Sequence, residues 1–397
     1  MRKEICILSQ YWSPDTVGDV SRLGQIIRVL KREGWTITLI TSKPHYPEGD
    51  PRGFKFRLAQ VEVEGGVRLF RVAMPRVPHR GFFNRLLLYT WFASFASILS
   101  VALARGNVVW ASSQRIFSTY ASLPAKLIWG TRLVSDVTDV WPEALVNTGY
   151  ASERSTVFKL GRVLANVAYR VSDRITTMTP GMASLLHERY SVPREKIFVV
   201  PYVGKRFSGT RQGNGKFTVL YFGNLGRGYD FDIVFDVAKR LEHQGIIFTI
   251  RGDGELLSGM RAKLRERGLT NMRLLGETMN ETQLSNLVES TDAFFLPLSK
   301  WQFQDASFPG KLIEYLHAGK PIICIGEGAA PGFVRKYDVG LAMSDPNPDA
   351  IADYLIRLKD DPALVDRLGE NASRLAKAEF SEQRLDDSLA RALFGYS

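Results

Sequence analysis

The chain has 397 residues, with 52 Lys or Arg against 41 Asp or Glu, and its two cysteines, Cys6 and Cys324, both sit inside apolar runs that read as strands. That length exceeds one ordinary hydrophobic core and suits two domains of roughly 150 to 200 residues each. Two such cysteines exclude a disulfide scaffold, and residues 1–10 read as a strand rather than a basic segment followed by a long apolar stretch, which points to the cytoplasm. Residues 1–200 carry 27 Lys or Arg against 15 Asp or Glu, whereas residues 201–397 carry 25 against 26. An anionic partner is therefore expected for the first half alone, and because no nucleic-acid-binding module signature is present, a phospholipid surface is favoured over nucleic acid.

In chain order, β-rich runs at 4–9, 35–41, 67–72, 107–111, 132–137, 174–178 and 197–200 alternate with helical patterns, the grammar of a βαβ domain over residues 1–200. Within it, residues 86–104 carry no charge, close to the ~20 residues that span a bilayer. At 100° per residue, however, Thr90, Ser94 and Ser97 fall on one face and Leu88, Trp91, Phe92, Phe95 and Leu99 on the other. The approach to this segment interleaves Arg76, His79, Arg80 and Arg85 with Phe82 and Phe83, as interfacial anchors do. Segment 76–105 thus reads as an amphipathic, reversibly docking membrane element, with burial against the sheet as the alternative. Residues 201–216, rich in Gly, Ser, Lys and Arg, form the expected hinge. A second set of strands at 217–222, 246–251, 271–275, 293–297 and 321–325 makes 217–380 a second Rossmann-like domain. The last helix, within 381–397, either completes that domain or crosses back to the first.

Three turns of the second half carry chemistry. Gly223-Asn224-Leu225-Gly226-Arg227-Gly228 follows a strand and precedes a helical pattern, so it can offer unpaired N–H groups and a cation to phosphate. Gly252-Asp253-Gly254 repeats the arrangement one strand later. In Pro309-Gly310-Lys311-Leu312-Ile313-Glu314-Tyr315, Lys311 and Glu314 lie one helical turn apart, a spacing that lets an ammonium meet a diphosphate while a carboxylate accepts from ribose hydroxyls. Other signals are weaker. Asp230-Phe231-Asp232 reads as a helix cap rather than a metal site, the histidines His45, His79, His187, His243 and His317 show no ligand spacing, and Gly215-Lys216-Phe217 precedes its strand instead of following one. No metal or cofactor is expected.

Taken in order, these stretches, together with Tyr11-Trp12-Ser13-Pro14, Gly18, Arg22, the run Asp136-Val137-Thr138-Asp139-Val140-Trp141-Pro142-Glu143, and Ala318-Gly319-Lys320-Pro321, resemble the family 4 retaining glycosyltransferases of GT-B fold. The resemblance covers nearly the whole length and is nearest the branch that resembles fucosamine transferases of O-antigen synthesis. It implies an α/β, GT-B architecture of two Rossmann-like domains facing an interdomain cleft. It also implies a nucleotide diphosphate sugar donor, UDP by family preference, with Gly223, Asn224, Gly226, Arg227, Gly252, Asp253 and Lys311 around the diphosphate, Glu314 on the ribose, and the base near Gly276 and Glu277. The acceptor is expected to be a lipid-linked, polyprenyl-type glycan at the inner face of an anionic membrane. The first domain would supply the catalytic polar groups Asp136, Asp139 and Glu143, while Gly18 and Arg22, with Asp305 from the second domain, would contact substrate.

Two departures from the family pattern stand out. Eight residues before Glu314 stands Ala306 where many relatives have Glu, with Asp305 adjacent, and Thr138 stands where many have His. Retention in this family is thought to use the leaving phosphate to guide the incoming hydroxyl, which leaves positioning and charge stabilisation to the protein. Competing readings are a nucleotide-sugar 2-epimerase of the same fold, which needs no acceptor, and a degenerate scaffold of a polysaccharide assembly complex, which needs no diphosphate clamp.

Overall fold

The computed structural model of the chain describes residues 3–15, 18–45, 59–77, 81–105, 108–112, 116–147, 149–207, 215–276, 279–300, 303 and 308–394. His79, Arg80, Glu277, Asp305, Ala306 and the centre of the expected hinge, 208–214, lie outside the described residues. The chain divides into two compact units, the first made of 1–145, 150–201 and 383–397, the second of 146–149 and 202–382.

The first unit runs β1 (Glu4–Leu8), α1 (Gly18–Arg32), β2 (Thr36–Ser42), β3 (Ala59–Glu64), β4 (Val67–Val72), α2 (Phe82–Leu103), β5 (Val108–Ser112), α3 (Phe117–Trp129), β6 (Arg132–Val137), α4 (Glu143–Asn147), α5 (Thr156–Val171), β7 (Arg174–Thr177), α6 (Pro180–Tyr190) and β8 (Ile197–Val199). The strands form one sheet in the order β3-β4-β2-β1-β5-β6-β7-β8, parallel except for the edge pair β3 and β4. Strands covered on both faces read as apolar runs, and Ile5 to Leu8 are buried accordingly. That burial holds the Cys6 thiol protonated, its pKa pushed up to about 12. Leu88, Tyr89, Phe92 and Ala96 of α2 join the core over the sheet, and α3 packs beside α2.

The second unit runs β9 (Phe217–Phe222), α7 (Asp232–Arg240), β10 (Ile246–Arg251), α8 (Leu257–Arg267), β11 (Met272–Leu275), α9 (Glu281–Glu289), β12 (Ala293–Pro297), α10 (Gly310–Ala318), β13 (Ile322–Ile325), α11 (Ala329–Lys336), β14 (Gly340–Met343), α12 (Pro348–Asp360) and α13 (Pro362–Glu379). Its six strands are all parallel, in the order β11-β10-β9-β12-β13-β14. This is the doubly wound order in which strand succession reverses between β9 and β12, so a ligand crevice is expected at the carboxyl ends of those two strands.

The final helix, α14 (Glu382–Phe394), belongs to the first unit from Gln383 onward. Leu385, Leu389, Ala392 and Leu393 are buried there. Arg132 donates to the Leu393 carbonyl at 3.1 Å and Arg174 to the Ala392 carbonyl at 2.7 Å, capping the helix end with cations as its dipole favours.

Candidate functional site

At the carboxyl end of β9 the two glycine turns mesh. Gly223 N–H donates to the Arg251 carbonyl at 2.9 Å, and Leu225 N–H donates to the Asp253 carbonyl at 2.8 Å. A Cβ at Gly252 would stand 1.8 Å from the Gly223 carbonyl oxygen, so only glycine permits this approach. Asn224 and Asp253 remain exposed on the rim, and Asp253 accepts from the Gly254 N–H at 2.7 Å. Asp230 accepts from the Asp232 N–H at 3.0 Å in a turn ahead of α7, but the cap position itself is Phe231, which supplies no side-chain hydrogen bond to the helix.

Opposite these turns stands α10, which follows β12 and is fixed by Tyr315. That ring stacks on Phe294 at 4.2 Å between centroids, and its hydroxyl accepts from the Phe222 N–H at 3.3 Å. Tyr315 thereby ties α10 to the end of β9, and Lys311 reaches across the gap. A Cβ at Gly223 would meet Lys311 Cε at 2.0 Å, so the ammonium stem lies where any other residue would put its side chain. Lys311 Nζ donates to Tyr229 Oη at 2.9 Å and lies over the rings of Tyr229 and Tyr221, 4.5 Å and 5.5 Å from their centroids. A cation held there, beside glycine amides at a strand reversal, is arranged for an anion of diphosphate size.

Glu314, one turn along α10, is within 3.4 Å of the Tyr202 hydroxyl. Burial lifts its carboxyl above the ordinary 4.5, against the pull of Lys311, Lys205 and the Tyr202 hydrogen bond. A partly desolvated carboxylate of this kind gains from hydroxyl donors brought by a ligand. Arg227 is exposed on the rim of the turn, where it pairs with Glu255 at 3.2 Å. Gly276 closes β11, where a Cβ would meet Arg261 Nη2 at 2.5 Å. Tyr229, Tyr202 and Arg261 are the site's unforeseen neighbours; each touches an expected residue through space, and no sequence spacing signals it.

In the first unit, the side chains of Arg22 and Asp136 meet in a buried two-pronged ion pair, with Arg22 Nε to Asp136 Oδ2 at 2.9 Å and Nη2 to Oδ1 at 2.7 Å. Thr176 also donates to Asp136 Oδ1 at 2.7 Å, and Arg22 donates to the Val200 carbonyl at 3.0 Å. Gly18 opens α1, the helix that carries Arg22. Glu143 is also buried. The Tyr190 hydroxyl lies 2.7 Å both from Glu143 Oε2 and from the Trp141 carbonyl, and Arg189 Nε lies 3.1 Å from Glu143 Oε1. A phenol has one proton to give, so both contacts are made together when Glu143 is protonated and donates to the phenol oxygen. Burial pushes the Glu143 carboxyl up in the same direction, with Tyr190 and Arg189 opposing. Of the three acidic residues expected to face substrate, Asp136 and Glu143 are turned inward, Asp136 onto Arg22 and Thr176 and Glu143 onto the Tyr190 hydroxyl that also meets the Trp141 carbonyl. Asp139 alone is partly exposed.

Two family models tile the chain: the glycosyl transferase 4-like domain matches residues 18–203, and glycosyl transferases group 1 matches residues 205–375. The chain belongs to the group 1 glycosyltransferases of GT-B fold. Among the relatives of this glycosyltransferase, the probable glycosyltransferase WbjE of Pseudomonas aeruginosa is 24% identical over 68% of this chain and 70% of its own. The putative colanic acid biosynthesis glycosyl transferase WcaI of Escherichia coli K12 is 22% identical over 82% and 83%. In structure, the glycosyltransferase is similar to HepE of Anabaena, solved in complex with UDP and glucose, with a TM-score of 0.69, 14% identity and complete coverage of both chains.

Proposed function

We propose that this glycosyltransferase moves a hexosyl or acetamido-sugar, with retention, from a nucleotide diphosphate, UDP in the first instance, to a lipid-linked glycan acceptor in cell-surface polysaccharide synthesis. The observation that carries the donor half is Lys311, held by Tyr229 above Gly223 where two glycine turns mesh at the strand reversal, with the raised carboxyl of Glu314 one turn away. Lys311 would balance the diphosphate charge as it builds on the leaving group, Arg227 would add to it from the rim, and Glu314 would accept from the ribose. UDP is supported by the ligand of HepE, and polysaccharide synthesis by the name of WcaI. The acceptor hydroxyl would be oriented by Asp139, with the Arg22–Asp136 pair and Glu143 setting the loop that carries it. No metal enters this reading, because the cations that offset the diphosphate are the protein's own.

Calorimetric titration of the purified protein with UDP, GDP, ADP and CMP tests the donor half. UDP is expected to bind most tightly, and failure of every diphosphate to bind would end the proposal. Incubating a nucleotide sugar without acceptor separates transfer from epimerisation, since a soluble epimerised product would favour the 2-epimerase.

The same proposal places the protein on the inner face of an anionic membrane, where such an acceptor is presented. Its support is the segment around α2, where Arg76 precedes, and Arg85 sits in the first turn of, a long apolar helix whose outward residues include Phe83, Leu87 and Ile98. Neutralising Arg76, Arg80 and Arg85 is expected to weaken vesicle binding and leave donor affinity unchanged.

A further inference from the structure

The outward face of α2 does not stand alone. α3 packs beside it, Trp129 Nε1 donates to the Val101 carbonyl at 2.8 Å, and Arg105 lies over the Trp129 ring. On the other flank of α3, the Tyr120 hydroxyl donates to the Leu164 carbonyl of α5 at 2.7 Å, and Arg85 of α2 lies over Tyr150, just ahead of α5. The three helices therefore lie side by side, and each turns apolar side chains outward. On α3 these include Leu127, 82% exposed, and on α5 they form a stripe of Val157, Leu160, Val163 and Val167 at helical spacing, with Leu160 59% and Val163 61% exposed.

Two further observations say what covers this face. The three helices contain no Asp or Glu, and they carry Arg85, Lys126, Lys159, Arg162 and Arg170. On α2, outward polar atoms are also satisfied from within. Thr90 and Ser94 donate back to the Leu86 and Thr90 carbonyls at 2.9 Å, and Trp91 Nε1 donates to the Ala73 carbonyl at 2.8 Å. Hydroxyls and indoles that ask nothing of water can enter a hydrocarbon boundary at little cost, while the flanking cations remain at headgroup level. A span by α2 does not fit, because Leu88, Tyr89, Phe92 and Ala96 would leave the core they fill.

From this juxtaposition we infer that α2, the end of α3 and α5 form one lipid-docking platform, whose occupant is the interfacial layer of an anionic bilayer and in which α5 is an anchor equal to α2. The inference rests on the membrane reading above and extends it to a helix that reading does not need.

The test is co-sedimentation of the full-length protein with vesicles of phosphatidylcholine, alone or mixed with phosphatidylglycerol. Wild type is expected to follow the anionic vesicles. Leu160→Glu with Val163→Glu should lower partition at least tenfold, and Lys159→Gln with Arg162→Gln should lower it roughly twenty-five-fold, at about fivefold per charge. A wild-type urea-denaturation midpoint for the first unit shows that each variant is folded. Wild-type partition by both α5 variants overturns the platform; if Ile98→Glu still abolishes binding, α2 docking survives, and if it does not, both fail. Self-association lost in the Leu160→Glu, Val163→Glu variant, without vesicle binding by wild type, would overturn the inference by making this face a contact between copies.

Discussion

Lys311 shows how little room the donor site leaves for substitution. Its stem occupies the space above Gly223, its ammonium is fixed by Tyr229, and its charge is felt by Glu314. Charge-assisted hydrogen bonds contribute about 1.5–3 kcal/mol, so Lys311→Ala should weaken nucleotide diphosphate binding roughly tenfold to a hundredfold by calorimetry. Glu314 adds a pH dependence. Its carboxyl titrates above 4.5 in the free protein, and the ionised form accepts from ribose more strongly, with both oxygens, than the protonated form, so affinity should fall as pH drops through that raised value. A nucleotide diphosphate sugar is the proper probe, because its diphosphate has no proton to gain in this range. Glu314→Gln should bind more weakly and with a flat profile; a wild-type slope in that variant would remove Glu314 from the site. The pair was legible in the sequence because i, i+3 spacing is a local property. Tyr229 and Tyr202 were not, because they arrive from separate turns whose approach is set by the packing of Tyr315 on Phe294.

Among elements, the long parallel strands were readable to within a residue or two, since burial on both faces leaves an unbroken apolar run. β3 escaped: as an antiparallel edge strand it alternates Val61, Glu62, Val63 and Glu64, and both valines stay exposed. β14 escaped as well, because four residues opened by a glycine carry almost no strand signal, yet a Cβ at Gly340 would stand 2.0 Å from the Ile322 carbonyl oxygen. For α2 the periodicity identified part of the buried side, Leu88 and Phe92, but placed Trp91 there too, and it did not foresee that the opposite side is also apolar. The 138–143 loop shows the same limit, since nothing in Asp136, Asp139 and Glu143 reveals which of them turns inward. Glu143 permits a direct test. Its folded pKa is raised above 4.5, so its favourable contribution is complete below 4.5 and is lost as pH rises through the folded value. Glu143→Gln, which keeps a donor toward Tyr190, should therefore match or exceed wild-type stability at neutral pH in urea denaturation, with the difference shrinking in acid. A variant most destabilised at neutral pH would show that the Arg189 ion pair dominates instead.

At the scale of the whole chain, the second unit is an insertion within the first, because α14 returns after residue 382. Three buried leucines of α14, Leu385, Leu389 and Leu393, contribute on the order of 5–9 kcal/mol to the first unit, comparable with the whole stability of a typical domain. Deleting residues 383–397 should unfold the first unit at much lower denaturant while leaving UDP binding by the second detectable. A truncated protein with the wild-type midpoint would show α14 to be dispensable. The sequence left the course of this last helix open, since its buried leucines would suit a seat on either unit. The returning helix also imposes an order on synthesis. As the ribosome extends the chain, the first sheet emerges complete yet waits for its last helix while about 180 further residues are made, roughly ten to forty seconds at ordinary elongation rates. Throughout that interval the seat of α14, around Trp35, Arg132 and Arg174, is uncovered. The nascent protein is thus most in need of a chaperone late in translation, on the part that was made first.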